Sequence, residues 1–212
     1  MNVSCACGHR PAGSAEPFVT RLLPLQRRLT LPPAELLHGL GVRPDHITLA
    51  GFAIGILALP AIWAGFYGIG LVLILINRVA DGLDGAVARM GTPTDRGAFL
   101  DIALDFVFYA AVPLGFALAD PSRNALPAAV LIFSFVGTGS SFLAFSVLAE
   151  KQRLTAEDFP TKGLYYLGGL TEGFETILFF VAFCLWPGAF IWLAYLFAAM
   201  ALITTGARWM MG

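Results

Sequence analysis

Six apolar stretches, at approximately residues 46–66, 69–88, 97–119, 126–148, 163–186 and 188–210, each reach the roughly 20 residues that an α-helix needs to cross a bilayer. No other feature restricts the fold as strongly. In hydrocarbon every backbone N–H and C=O must be satisfied within the chain, which leaves only helices and closed barrels. No ten-residue segments of alternating apolar and polar side chains run through these stretches, so helices are predicted and not a barrel. Composition agrees, because only 13% of the 212 residues are charged, about half the roughly 25% of soluble domains. A soluble enzyme is excluded, and the 58% apolar content excludes a disordered chain.

The breaks between stretches fall at Tyr67-Gly68, around Thr92-Pro93, at Asp120-Pro121-Ser122, across the charged Glu150 to Lys162 segment, and at Trp186-Pro187-Gly188. Placing the basic residues on this map gives an orientation. Arg10, Arg21, Arg27, Arg28 and Arg43 precede the first span, Arg89 and Arg96 follow the second, and Lys151, Arg153 and Lys162 follow the fourth. With Arg208 in the tail, eleven cations lie on one side and only Arg123 on the other, while Arg78 sits inside a span. The positive-inside rule then puts both termini in the cytoplasm. The predicted architecture is an all-α, polytopic bundle of six transmembrane helices.

Ahead of the bundle, residues 1–17 read as a disordered tail without the apolar core of a signal peptide. Cys5-Ala6-Cys7-Gly8-His9 faintly resembles a metal clip, but no second ligand pair follows, and with Cys184 in an apolar run no disulfide framework is implied. Residues 18–43 mix leucine with arginine and read as an amphipathic segment on the cytoplasmic surface, broken in two at Pro32-Pro33. Gly41 to Asp45 then turns the chain into the membrane, with Asp45 expected to cap the first span. Residues 44–212 form the membrane domain. No basic tract suggests nucleic acid.

Four aspartates stand out against this background. Each costs about 2.5–3.5 kcal/mol at the centre of a membrane helix, so an intramembrane acid calls for a functional explanation. Asp81 and Asp84 share one face of the second span and Asp101 and Asp105 one face of the third, about 60° and about 40° apart within each pair. The connecting loop is short, so the two helices are expected to be antiparallel neighbours with the acids at one shallow depth. Four converging carboxylates in a low-dielectric site require positive charge, and hard oxygen donors suit magnesium or manganese. The alternative, in which the aspartates are solvated or paired with Arg78, Arg89 and Arg96, explains one aspartate better than four on matched faces. Gly85, Ala88 and Gly97 lie on the same stripes, leaving room for a ligand, with Arg89 at the mouth as a hydrogen-bond donor to phosphate.

Written out, the segment is Asp81-Gly82-Leu83-Asp84-Gly85-Ala86-Val87-Ala88-Arg89, seven residues, Gly97, three residues, Asp101, three residues, Asp105. It resembles the D-x-x-D-G-x-x-A-R-x7/8-G-x3-D-x3-D signature of the CDP-alcohol phosphatidyltransferases, in all eight fixed positions. The resemblance extends over roughly residues 19–210 and looks especially like small bacterial inner-membrane members that share the Gly168-Gly169-Leu170-Thr171-Glu172-Gly173 region. It implies an integral-membrane enzyme that moves a phosphatidyl group from CDP-diacylglycerol to an alcohol acceptor and releases CMP, with its site facing the cytoplasm. Asp81, Asp84 and Asp101 are then expected to hold a two-metal centre of Mg2+ or Mn2+. Asp105 is expected to act as general base and to touch a metal. The CDP moiety is expected at Gly85, Ala88, Arg89, Gly97 and Thr48. A homodimer is implied as well. One departure is Pro44-Asp45-His46-Ile47-Thr48, where many members have Pro-Asn-x-x-Thr, so Asp45 adds a charge that many relatives lack.

The acceptor is less legible. Glu172 and Glu175 form a second acid pair in the fifth span, and either bind acceptor hydroxyls or an ammonium group or hydrogen-bond to Thr171, Thr176 or Ser140-Ser141. Lys151, Arg153 and Lys162 either hold a phosphate-bearing acceptor or merely set the topology. His38 and His46 read as interfacial, and the Gly51/Gly55 and Gly137/Ser141 spacings as helix packing. Among rival functions, a magnesium-dependent prenyltransferase needs more spans and two separated motifs. A divalent-cation transporter needs acids along the full depth of the membrane, and an inactive scaffold would be expected to lack one of the aspartates.

Overall fold

The computed structural model describes residues 30–92, 94–151 and 173–211. A short helix, α1, covers residues 30–39. It is followed by α2 (Pro44–Gly55), α3 (Ala58–Trp63), α4 (Tyr67–Met90), α5 (Asp95–Ala119) and α6 (Pro121–Lys151), and then by α7 (Gly173–Leu185), a 3-10 turn (Pro187–Ala189) and α8 (Phe190–Met211). The all-helical expectation holds, with no strand among the described residues. Four helical segments there are long and apolar enough to span a bilayer: Pro44–Trp63, Asp95–Ala119, Pro121–Leu148 and Pro187–Met210. The other two stretches read as spans differ. α4 is 24 residues long, but Arg78, Asp81, Asp84 and Arg89 make its second half polar. The described part of the fifth, Gly173–Leu185, has 13 residues.

The first span is two helices and not one. Leu57 N–H bonds back to Ile54 and Leu59 N–H to Ile56, a tightened pattern that separates α2 from α3. Pro60 is the cause, since it has no N–H to offer Ile56 and its ring crowds that carbonyl four residues back. At the start of α2, Arg43 is the N-cap without a side-chain bond, and Pro44 takes the first helical position. Proline's fixed φ suits that position, which moves Asp45 into the first turn and corrects the expectation that it caps the helix. Helix α1 continues through Pro32-Pro33 from residue 30 to 39, so among the described residues the prolines do not divide it. Its Ala34 and Leu37 pack on Ala86 and Val87 of α4, while Leu36 and Leu40 stay exposed. The tail and the first part of the amphipathic segment lie outside the described residues.

Packing is tightest where small residues meet. α2 lies against α4, α3 against both α4 and α5, α5 against α6, and α6 along α8. A Cβ on Gly51 would stand 2.5 Å from the Ala80 Cβ, and one on Gly55 2.7 Å from Asn77, so only glycine permits this approach of α2 to α4. Gly137 makes the corresponding contact with Thr205 of α8, and Arg208 Nη1 donates to the Thr138 carbonyl at 3.1 Å in the same seam. The core is aromatic, with Phe116 stacked on Phe190 and Phe179 on Phe197 at centroid distances of 4.5 Å. Trp63, Phe66, Trp186 and Trp192 are exposed around the turns at one end and Trp209 at the other, as expected of rings seated at two membrane surfaces.

Candidate active site

The four signature aspartates sit at the end of the bundle where α4 finishes and α5 begins. They are carried on α4 and α5, antiparallel neighbours as expected, which meet through side chains such as the stacked Tyr67 and Phe116 rings. α4 and α5 make few close backbone approaches, and α2 packs against both. Glycines let α2 close on α4, whereas the long Arg78 side chain and its partners occupy the space between α4 and α5. The acids therefore meet across a gap. Asp81, Asp84, Asp101 and Asp105 line one inner recess of about 10 Å³ together with Thr48 and Arg78. The predicted convergence of all four is thus present in the structure.

Arg78 supplies the positive charge in that recess. Its Nη2 lies 2.6 Å from Asp105 Oδ1 and its Nη1 3.2 Å from Asp105 Oδ2, a forked pairing of guanidinium with carboxylate. Asp81 Oδ2 lies 3.6 Å from the same Nη1. The guanidinium carbon is 4.9 Å from the Phe108 ring centre and 5.4 Å from that of Tyr109, and Nη1 also donates to the Tyr109 hydroxyl at 3.3 Å. Asn77 Oδ1 accepts from Arg78 Nε at 2.9 Å, and Asn77 Nδ2 donates to the Gly51 carbonyl at 3.0 Å. On the opposite wall, Thr48 Oγ1 donates to Asp84 Oδ2.

Above the recess lies an outer cavity of about 440 Å³, within the size range of small-molecule sites. Thr48, Gly85, Ala88 and Gly97, four of the five residues predicted to meet the nucleotide, line it. The fifth, Arg89, places Nη1 3.3 Å from where a Cβ on Gly85 would stand. Thr48, Asp84 and Asp101 line both cavities and join them. Asp45 is also in the wall, with Oδ2 3.8 Å from Arg96 Nε. Thr94 caps α5 by accepting from Gly97 N–H at 3.1 Å, which fixes the turn beside the cavity.

The donor chemistry of the recess fits a hard divalent cation, since all four acidic side chains lining it offer carboxylate oxygens. As the side chains stand, no three His, Cys, Asp or Glu among the described residues are gathered at the spacing of a metal site. Glu175 lies in the first turn of α7 and lines neither cavity, and Glu172, Arg153 and Lys162 lie outside the described residues. Ser140 and Ser141 bond to carbonyls of their own helix. The sequence reading treated Arg78 only as a counter-charge and passed over Asn77 and Tyr109. An arginine inside a span three residues before Asp81 was the available signal.

A family model described as CDP-alcohol phosphatidyltransferase matches residues 42–207. The chain is 56% identical over 168 residues, 79% of its length and 82% of the relative's, to the inner membrane protein YnjF of Escherichia coli. It is 38% identical over 124 residues to a phosphatidylinositol phosphate synthase of Streptomyces avermitilis, covering 56% of this chain and 48% of that one. Among solved structures, the phosphatidylinositol phosphate synthase of Mycobacterium tuberculosis with CDP-DAG bound superposes with a TM-score of 0.61 at 25% identity, over 85% of this chain and 92% of the other.

Proposed function

The chain belongs to the CDP-alcohol phosphatidyltransferase family, and from that membership we propose that it transfers a phosphatidyl group from CDP-diacylglycerol to an alcohol hydroxyl, releasing CMP at the cytoplasmic face of the membrane. The observation that carries this reading is the junction of the two cavities at Thr48, Asp84 and Asp101. It sets a nucleotide-sized chamber directly beside a carboxylate recess. Family membership sets aside the prenyltransferase and cation-transporter alternatives.

In this reading the cytidine end of the donor occupies the outer cavity. Gly85 and Gly97 leave their backbones open to it, and Arg89 donates to its phosphates. Mg2+ or Mn2+, held by Asp81, Asp84 and Asp101 with Asp105 at their edge, would stabilise the negative charge of the pyrophosphate. Asp105 takes the proton of the acceptor hydroxyl, and the oxygen so freed attacks the phosphorus that carries the lipid. The acceptor enters from the start of α7, where a Cβ on Gly173 would stand 3.6 Å from the Tyr109 hydroxyl. Glu175, and Glu172 just before the helix, are the acceptor-side acids of this proposal. Inositol phosphate leads the candidate acceptors, because two archaeal relatives are named archaetidylinositol phosphate synthases and an actinobacterial one a phosphatidylinositol phosphate synthase. The family resemblance adds a homodimer to the proposal, which light scattering in detergent would test.

The decisive experiment supplies purified protein with CDP-diacylglycerol, Mg2+ or Mn2+, and a panel of alcohols headed by inositol phosphate, following CMP and new lipid. Metal-dependent CMP release with one acceptor is the expected result. A preparation that binds CDP-diacylglycerol but turns over no acceptor would overturn the reading.

A further inference from the structure

We propose that Arg78 is a positioning residue for the transfer step, fixing the Asp105 carboxylate in one orientation, and is not a ligand for either substrate. The inference rests on the assignment of Asp105 as the base. A guanidinium has five N–H groups, and here each has an acceptor. Nε donates to Asn77 Oδ1, Nη2 to Asn77 Oδ1 and Asp105 Oδ1, and Nη1 to Asp105 Oδ2 and the Tyr109 hydroxyl. No donor is left for a phosphate. The Phe108 and Tyr109 rings flank the guanidinium carbon, and the side chain is only 14% exposed.

What Arg78 does instead is transmit a fixed backbone position to Asp105. The Gly51 carbonyl on α2 holds Asn77 Nδ2 at 3.0 Å, Asn77 holds the back of the guanidinium, and the guanidinium forks onto both oxygens of Asp105 on α5. Three helices are tied together in this way, at a place where the backbones of α4 and α5 stand too far apart for close approach. A base on an untethered aspartate would sample several rotamers, whereas the fork admits one plane. Lysine keeps the charge but cannot reproduce the fork, which separates positioning from simple charge balance.

The test compares wild type, Arg78→Lys and Asn77→Ala in detergent for melting temperature, Mn2+ binding by electron paramagnetic resonance, and CMP release from CDP-diacylglycerol with an acceptor that the wild type uses. Arg78→Lys should bind Mn2+ and show a KM for CDP-diacylglycerol within about threefold of wild type, while kcat falls about 100-fold, the scale of a misplaced reacting group. Asn77→Ala, which frees the back of the guanidinium, should lower kcat about tenfold. A folded Arg78→Lys protein with kcat within about threefold of wild type would show that only the charge matters and would overturn the inference. If the lysine variant does not fold, an unchanged kcat in Asn77→Ala overturns it equally. A wild type that turns over no acceptor overturns the Asp105 assignment, and this inference with it.

Discussion

Arg89 lies one turn beyond Gly85 on α4, with its Nη1 3.3 Å from the point that a Cβ on residue 85 would occupy. That contact is with the far end of a flexible side chain, so alanine at 85 is tolerated by the fold at the cost of moving the guanidinium. In the helix interior alanine is favoured over glycine by about 1 kcal/mol. Gly85→Ala should therefore keep or raise the melting temperature while raising KM for CDP-diacylglycerol about tenfold, the loss of roughly one charge-assisted hydrogen bond. Thermal unfolding and CMP-release kinetics on the same preparation check both halves.

Thr48→Val keeps the shape of the side chain and removes the hydroxyl that donates to Asp84. A buried carboxylate then loses a hydrogen-bond partner, at a cost of about 1–3 kcal/mol. The variant should melt lower and bind Mn2+ differently from wild type, whereas Thr48→Ser should restore both properties. Denaturation and Mn2+ titration of the pair measure the effect.

Gly55→Ala places a Cβ 2.7 Å from Asn77 Cγ, inside contact distance. Overpacking of this kind costs typically about 1–3 kcal/mol, and the side chain displaced is the one that anchors Arg78. Lower stability and lower turnover are expected together. Gly206→Ala is the control, since nothing lies within 4 Å of the added carbon, and it should match wild type in turnover while melting no lower, alanine being favoured in a helix interior.

Asp105→Asn removes the proposed proton acceptor but leaves Gly85, Arg89, Gly97 and the rest of the outer cavity in place. CDP-diacylglycerol binding should persist, and CMP release should fall by about 10²–10⁴-fold. Single-turnover kinetics alongside a binding measurement distinguish this from a loss of fold.

At the opposite end of the bundle, donation from Ser122 Oγ at 2.7 Å holds the exposed Asp120 carboxyl below its ordinary range, helped by the Arg123 N–H. A carboxyl depressed by folding stabilises the fold above its unfolded pKa of about 4 and loses that contribution as pH falls through the lower folded value. Asp120→Asn should lower stability modestly at neutral pH, where the carboxylate contributes, and flatten its decline in acid. Unfolding midpoints measured from pH 7 down to 3 provide the check.

Much of this site was written in side-chain spacing. Seven of the eight fixed signature positions, all but Arg89, line the recess or the outer cavity, because helical periodicity ties spacing directly to a shared face. Asp45 escaped prediction because the proline before it, and not its own capping chemistry, decides where α2 begins. The division of the first span at Ile56 is local too, and Pro60 in the sequence was its signal. The wide backbone spacing between α4 and α5 was not legible, since it depends on how closely Gly51 and Gly55 admit a third helix. Arg78 was legible only as a counter-charge for the aspartates, because Gly51 and Asp105, which anchor its network, come from helices that meet only in the folded bundle.

The exposed tryptophans at the two ends of the molecule mark where the two surfaces of a bilayer would lie, and so the plane from which a lipid donor would come. In the proposed reaction both tails of CDP-diacylglycerol stay among neighbouring lipids while its headgroup enters the outer cavity. The enzyme then samples its donor by lateral diffusion within a plane. Its rate should follow the mole fraction of CDP-diacylglycerol in the bilayer, and diluting the vesicles in buffer at fixed lipid composition should leave the donor's saturation unchanged.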